Sequence, residues 1–190
     1  AHAAAFAVIT YWSAWIRCNH PTEFFIGILR NQPMGFYPEH AVISDARRIG
    51  VRFLPVDLRY SKARSTLQSG KIRLGLKTIR GLGKKHIHLL LQERNLTPFQ
   101  SLPNLIQRMK FSRPVMESII LSGALDYLHP SKHRRQILWE LTDAYQTTPK
   151  LTGLKLTIPG EQVTLKPMTS QQKLAAEFNA TKVSIDNHPT

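Results

Sequence analysis

The chain has 190 residues, with 26 Lys plus Arg against 12 Asp plus Glu, for a formal charge of +14. That length holds one ordinary domain or two small units and excludes a large catalytic architecture, while the charge predicts a polyanionic partner rather than any particular fold. The single cysteine, Cys18, excludes an internal disulfide, and no second cysteine completes a metal-ligand spacing with the histidines, which fits a reducing, cytoplasmic setting.

Residues 3–17 carry the density of Ala, Phe, Val, Ile, Tyr and Trp expected of a helix packed on several sides. The apolar stretch, about 14 residues from Ala3 to Ile16, falls short of the roughly 20 that span a bilayer, so a buried core helix is expected and no membrane association. Trp12, Trp15 and, further on, Trp139 are read as core residues for the same reason. Pro21 suits the first turn of a second helix, with Glu23 near the positive dipole end and Phe24, Phe25, Ile28 and Leu29 as its apolar stripe. After the loop Gln32–Tyr37, Val42, Ala46 and Ile49 recur at helical spacing up to Gly50, a C-terminal cap. Val51–Leu54 is a short apolar run ended by Pro55, and Thr66–Leu74 reads as a β-hairpin around Ser69-Gly70 with Ile72 and Leu74 on one face.

From Gly75 onward the pattern predicts short helices over Leu76–Ile79, Lys84–Arg94, Ser101–Met109, Arg113–Leu121 and Lys132–Ala144. Residues 147–167, rich in Thr, Pro and Gly, read as a linker, and Thr169–Ala180 reads as a last helix opened by a Thr or Ser cap.

The chemistry centres on Lys77, Arg80, Gly81, Leu82, Gly83, Lys84 and Lys85. Two glycines around one leucine allow a tight turn between helices, with Leu82 tucked inward and the turn's N–H groups facing out toward one phosphate. On this reading Gly83→Val blocks the turn and most of the affinity. Between Lys62 and Arg113 there are twelve Lys or Arg (62, 64, 71, 73, 77, 80, 84, 85, 94, 108, 110, 113) and one acid, Glu93. A poorer copy of the turn follows at Ser122-Gly123-Ala124. Asp126 stands there in place of the lysines, so its expected role is structural, closing a pseudo-twofold pair of hairpins over Leu89, Leu105, Ile106, Ile119 and Leu125, with Ser122 and Gly123 kept as candidate DNA contacts. Cys18, His20 and His40 fit no common zinc spacing, and Gln171–Phe178 has the wrong spacing for a clamp-binding peptide.

In order along the chain, Ala1-His2-Ala3-Ala4-Ala5-Phe6-Ala7, His20-Pro21-Thr22-Glu23-Phe24, Leu29–Tyr37, Asp45–Val51, Pro55-Val56-Asp57, Ile72–Leu76, the two hairpins and Ala180–Pro189 resemble phrases of the alpha subunits of bacterial DNA polymerase III. The Leu29–Tyr37 phrase resembles the error-prone branch, used in translesion synthesis. The resemblance implies a mainly α fragment with fingers-end helices, a tandem helix-hairpin-helix unit and a small β element. It implies residues 1–60 from the fingers, 61–128 as the hairpin unit, 129–146 as a following helix, 147–167 as a linker and 168–190 as the truncated start of an OB-fold region, a poorly anchored tail. It further implies a template-directed polymerase as parent, with Mg2+ held by palm aspartates expected upstream, so that this piece has no cofactor or catalytic residue of its own and is inactive alone. His2 is placed near nucleotide or template. Helices taken from the fingers are expected to expose Phe6, Trp15 and Phe25. The partner is duplex primer-template DNA, held by its backbone, with a sliding clamp or accessory polymerase subunits reached through the parent. The alternatives are a free-standing basic nucleic-acid-binding or scaffold module without polymerase activity, and hairpins that mainly bind a protein.

Overall fold

The computed structural model describes residues 2–147 and 165–185, so most of the expected linker and the end of the final phrase lie outside the described residues. The first three helices are α1 (His2–Asn19), α2 (Pro21–Arg30) and α3 (Glu39–Arg48). Pro21 lies in the first turn of α2, where a missing N–H costs nothing. Gly50, with φ +89, ends α3 in the left-handed conformation that glycine adopts without strain. Ile49 lies beyond the helix and is exposed, so the buried stripe of α3 is Val42, Ile43 and Ala46.

The first helix does not form the buried core element expected of it. Phe6, Tyr11, Trp12, Trp15 and Ile16 are all exposed, Trp12 by 62%. Its apolar residues surround the helix axis, but α2 is its main neighbour and the Arg17–Asp45 pair at 2.9 Å ties its end to α3. Trp139 is likewise half exposed, so none of the three tryptophans is a core residue. Phe6 and Trp15 are exposed as the resemblance implies, whereas Phe25 is buried, edge-on to Phe24 at 5.2 Å and beneath the Arg17 guanidinium.

A three-stranded sheet follows: β1 (Phe53–Leu54), β2 (Thr66–Gln68) and β3 (Lys71–Arg73), in the order β1-β3-β2. The turn between β2 and β3 has φ +50 at Ser69 and +71 at Gly70, positive at both central residues as the tightest hairpins require. The parallel pairing of β1 with β3, Phe53 opposite Ile72, is the addition that strand periodicity did not reveal. The crossover between them is pinned by Arg94, whose guanidinium donates to the Leu58 and Ser61 carbonyls at 2.8 and 2.7 Å.

The remaining helices are α4 (Lys84–Leu96), α5 (Leu102–Met109), α6 (Arg113–Leu121), α7 (Arg134–Thr147) and α8 (Ser170–Thr181), with 3-10 turns at Leu76–Thr78 and Asp126–Leu128. Leu105, Ile106, Ile119 and Leu125 are buried as expected, but Leu89 is 39% exposed and Leu90, at 0%, takes its place. The inward face of α4 is set by Ile87, and three residues further on is Leu90; Leu89 falls a third of a turn off that face. One apolar core runs from Phe25 to Val183. The segment around α8 is firmly attached rather than a loose tail. Thr169 and Gln172 form a reciprocal cap at its start, and Ala180, Thr181 and Val183 are buried at its end.

Candidate nucleic-acid interface

The short 3-10 turn closes at Ile79, whose N–H donates to the Leu76 carbonyl at 3.1 Å. Gly81 then takes φ +79, where a side chain would be strained, and reverses the chain. Leu82 turns inward and is buried, and its N–H donates to the Ile79 carbonyl at 3.2 Å. The Gly83 N–H donates to the Gly81 carbonyl at 3.1 Å, while its own carbonyl accepts the first helical bond from Ile87 at 3.0 Å.

This geometry corrects two expectations. The turn's own amides, those of Leu82 and Gly83, are spent within it; the outward donors are the first-turn amides of α4, at Lys84, Lys85 and His86, which have no helical acceptor. Gly83 has φ −70 and ψ 167, ordinary extended backbone, and nothing lies within 4 Å of a Cβ built there. A valine therefore fits at position 83, and only Gly81 is conformationally required. Gly83 is the N-cap of α4 and contributes no side-chain acceptor, so no oxygen of its own covers those amides.

Arg80, Gly81, Gly83, Lys84 and Lys85 are exposed around this helix start. The Arg80 side chain is exposed while its backbone N–H donates to the Ala180 carbonyl at 2.7 Å, joining the hairpin to the end of α8. Between Arg80-Gly81, α6 and the end of α8 lies an open cleft of about 400 Å3. Lys77 does not stand free: its ammonium donates to the Gln32 carbonyl at 2.7 Å and ties the loop after α2 to the hairpin.

Much of the basic run serves the protein itself. Arg73 is buried and donates to the Pro55 carbonyl at 2.8 Å, Arg94 holds the sheet crossover, Arg108 pairs with Glu93 at 3.0 Å, and Arg113 pairs with Glu117 at 2.8 Å. Burial pulls the Arg94 guanidinium below its usual pKa, although Tyr127 and Asp57 oppose that shift. Among the described residues, Lys62, Arg64, Lys71, Arg80, Lys84, Lys85 and Lys110 carry the part of the run held neither by an ion pair nor by a side-chain hydrogen bond to the protein, whereas Arg73, Lys77 and Arg94 are taken up by backbone carbonyls.

The second hairpin repeats the backbone of the first without its opening. Gly123 has φ +80, matching Gly81, but a Cβ there would collide with the Arg134 guanidinium. Ser122 is 5% exposed, and its hydroxyl donates to the Ile119 carbonyl at 2.7 Å. Arg134 pairs with Asp126 at 2.6 Å and with Glu177 of α8 at 2.7 Å, and donates to the Leu121 carbonyl at 3.1 Å. Burial alone would lower its pKa; the Asp126 and Glu177 carboxylates outweigh burial and hold it above the usual value. Ser122 is thus buried, and the protein's own cation stands against the partly exposed Gly123, so this hairpin lacks the open surroundings of the first. Sequence reading missed Arg134 and Glu177; the available signal was Asp126, an acid standing where the first hairpin has lysines.

His2 opens α1, and its side chain lies outside the described residues. Asp45, Asp57 and Asp126 are each taken up by an arginine, Arg17, Arg59 and Arg134, rather than paired with another carboxylate. Among the described residues no three His, Cys, Asp or Glu side chains group to hold a metal ion, and no helix is long and apolar enough to cross a membrane.

Residues 50–137, spanning both hairpins, match the family model described as the helix-hairpin-helix motif. Nearly the whole chain is also similar to proteins named error-prone DNA polymerase. The relative from Corynebacterium glutamicum is 38% identical over 189 residues, covering 99% of this chain and 17% of the relative. That from Mycobacterium bovis is 37% identical over 195 residues, covering 100% of this chain and 17% of the relative, and that from Corynebacterium diphtheriae is 34% identical over 187 residues, covering 98% and 17%. The chain thus spans about one sixth of the length of these relatives. A mainly helical chain with paired glycine turns at Gly81 and Gly123 thus carries a match to the helix-hairpin-helix motif and is similar, over nearly its whole length, to one segment of proteins named error-prone DNA polymerase.

Proposed function

We propose that the chain grips duplex DNA for an error-prone DNA polymerase, taking one backbone phosphate on the first-turn amides of α4 with Arg80, Lys84 and Lys85 around it. The observation that carries this reading is an exposed helix start whose N-cap, Gly83, has no side chain to cover the amides. Helix-terminus amides and the helix dipole attract an anion, and cations beside them add a contribution that salt screens. Such a contact reads charge and spacing and ignores base identity, which suits a protein that must hold any primer-template, damaged or intact. Template-directed nucleotide addition and its metal chemistry belong, on this reading, to other parts of the polymerase, and this chain is inactive alone.

The test is fluorescence anisotropy of the 190-residue chain with two labelled duplexes of unrelated sequence, titrated with salt. Equal affinities for both duplexes are expected, with a log-log slope of about −0.9 per phosphate neutralised. The Lys84→Ala/Lys85→Ala double variant is expected to flatten that slope by about two such units. Unchanged slope and affinity in that variant would remove the hairpin from the DNA interface.

A further inference from the structure

The two hairpins share a backbone form but not a surface, and the residue that separates them is Arg134. Its guanidinium sits over Gly123, where the corresponding space beside Gly81 is open apart from one Val115 methyl at contact distance. From there it bridges two elements. One arm holds Asp126 at the second hairpin, and the other holds Glu177 on α8. One turn beyond Glu177, the Ala180 carbonyl accepts the Arg80 N–H of the first hairpin at 2.7 Å. The end of α8 is itself fixed, since the Thr181 hydroxyl donates to the Glu177 carbonyl at 2.7 Å and Val183 is buried. The last turn of α8 therefore connects the two hairpins: Arg134 holds it at Glu177, and three residues further along the same helix the Ala180 carbonyl holds Arg80, the residue beside Gly81.

We propose that Arg134 is a positioning residue for the phosphate-binding hairpin, acting through α8: by clasping Glu177 it seats the end of α8 against Arg80 and fixes the hairpin in the conformation that presents the α4 amides. The proposal rests on the phosphate-binding reading of Gly81–Lys85. It assigns the second hairpin a use for its glycine turn other than DNA contact. That turn is the socket of an internal brace, and the anion site there is given up to a cation. The Arg134 guanidinium is itself buried, and a buried charge that loses a partner is left partly uncompensated.

Two measurements on the full chain decide it. Glu177→Ala removes one arm of the brace and leaves the Asp126 arm, so folding is less at risk than in Arg134→Lys, which serves as the second variant. Amide hydrogen exchange follows Arg80 against Ile72, whose N–H donates to the Arg52 carbonyl in the sheet, away from α8. In Glu177→Ala the Arg80 amide is expected to exchange about tenfold faster while Ile72 keeps its rate. Duplex affinity at fixed salt is expected to fall by about tenfold, with the salt slope unchanged because no phosphate-facing cation is lost. A merely structural role would speed both amides together and leave affinity intact well below melting. The proposal is overturned if Arg80 keeps its protection, if Arg80 and Ile72 change together, or if Arg80 is freed and duplex affinity does not move. A wild-type chain that binds no duplex would sink the phosphate reading and the positioning role with it, while the exchange comparison would still report whether Arg134 braces Arg80.

Discussion

Replacing Gly83 with serine should move stability and DNA affinity in opposite directions. The backbone at Gly83, φ −70 and ψ 167, is one that serine adopts freely, with nothing within 4 Å of the new Cβ. At an N-cap the serine hydroxyl accepts from the second or third helical amide, here Lys85 or His86. The cap adds a few tenths of a kcal/mol over glycine, and the stiffer unfolded chain adds about 0.4–1 kcal/mol. The sum, about 1 kcal/mol, raises Tm by roughly 2–4 °C for a chain of this size. The same hydroxyl occupies an amide that a phosphate would use. Losing one hydrogen bond to a charged group, worth about 1.5–3 kcal/mol, weakens duplex binding by about tenfold to a hundredfold. Thermal melting by circular dichroism and anisotropy titration on the same preparations give both quantities. A Gly83→Ser variant that melts higher and binds duplex as tightly as wild type refutes the assignment of phosphate to the α4 amides.

Other perturbations separate the remaining contributions. Gly81→Ala forces a side chain into φ +79 at a cost of about 1–2 kcal/mol, and should lower both Tm and duplex affinity; a neutral result in both would show that the turn tolerates another form. Gly75→Ala places a methyl group into the backbone of Arg64 and Ser65, so chemical denaturation should show a loss of about 1–3 kcal/mol although the substitution removes no charged group of the interface. Leu90→Ala should cost about 2–5 kcal/mol and Leu89→Ala little, and the reverse order would place α4 in a different register. His129 has its pKa lowered by burial and by Lys132, with Glu140 opposing. Its folded-state value lies below the unfolded one, so it contributes stability that is present above the ordinary imidazole range and lost as pH falls through it. His129→Asn should flatten the decline in denaturant midpoint between neutral and mildly acidic pH.

The local signals of glycine, proline and capping residues carried most of the fold. Pro21, Gly50, Ser69-Gly70, Gly81 and Thr169 mark element ends in the sequence because each enforces a backbone choice by itself, whatever the tertiary setting. Burial was less legible where it depends on neighbours distant in the chain. Leu89 and Leu90 are chemically identical, and only the packing of α4 against its surroundings tells them apart. The apolar density of α1 suggested enclosure, yet enclosure needs partners on every side and α1 has its chief partner in α2. In the first hairpin, the composition marked the turn and misassigned the division of labour between its glycines, because a G-x-G pattern does not state which glycine has positive φ. Charge counting overstated the cationic surface for a related reason. Carbonyls such as those of Pro55, Leu58 and Ser61 leave no trace in composition, and they hold Arg73 and Arg94.

The exposure of Trp12 and Trp15 on α1 and of Trp139 on α7 makes intrinsic fluorescence a reporter of covering rather than of folding. With all three indoles already wetted in the native chain, denaturation should leave the emission maximum nearly where it began, and a collapse of the core would pass almost unseen in that channel. A blue shift would instead announce that something had settled over the first helix or over α7. Because α1 carries two of the three chromophores, it would dominate the shift, so the same spectrum that is blind to unfolding becomes a sensitive gauge of whatever shields this pole of the molecule.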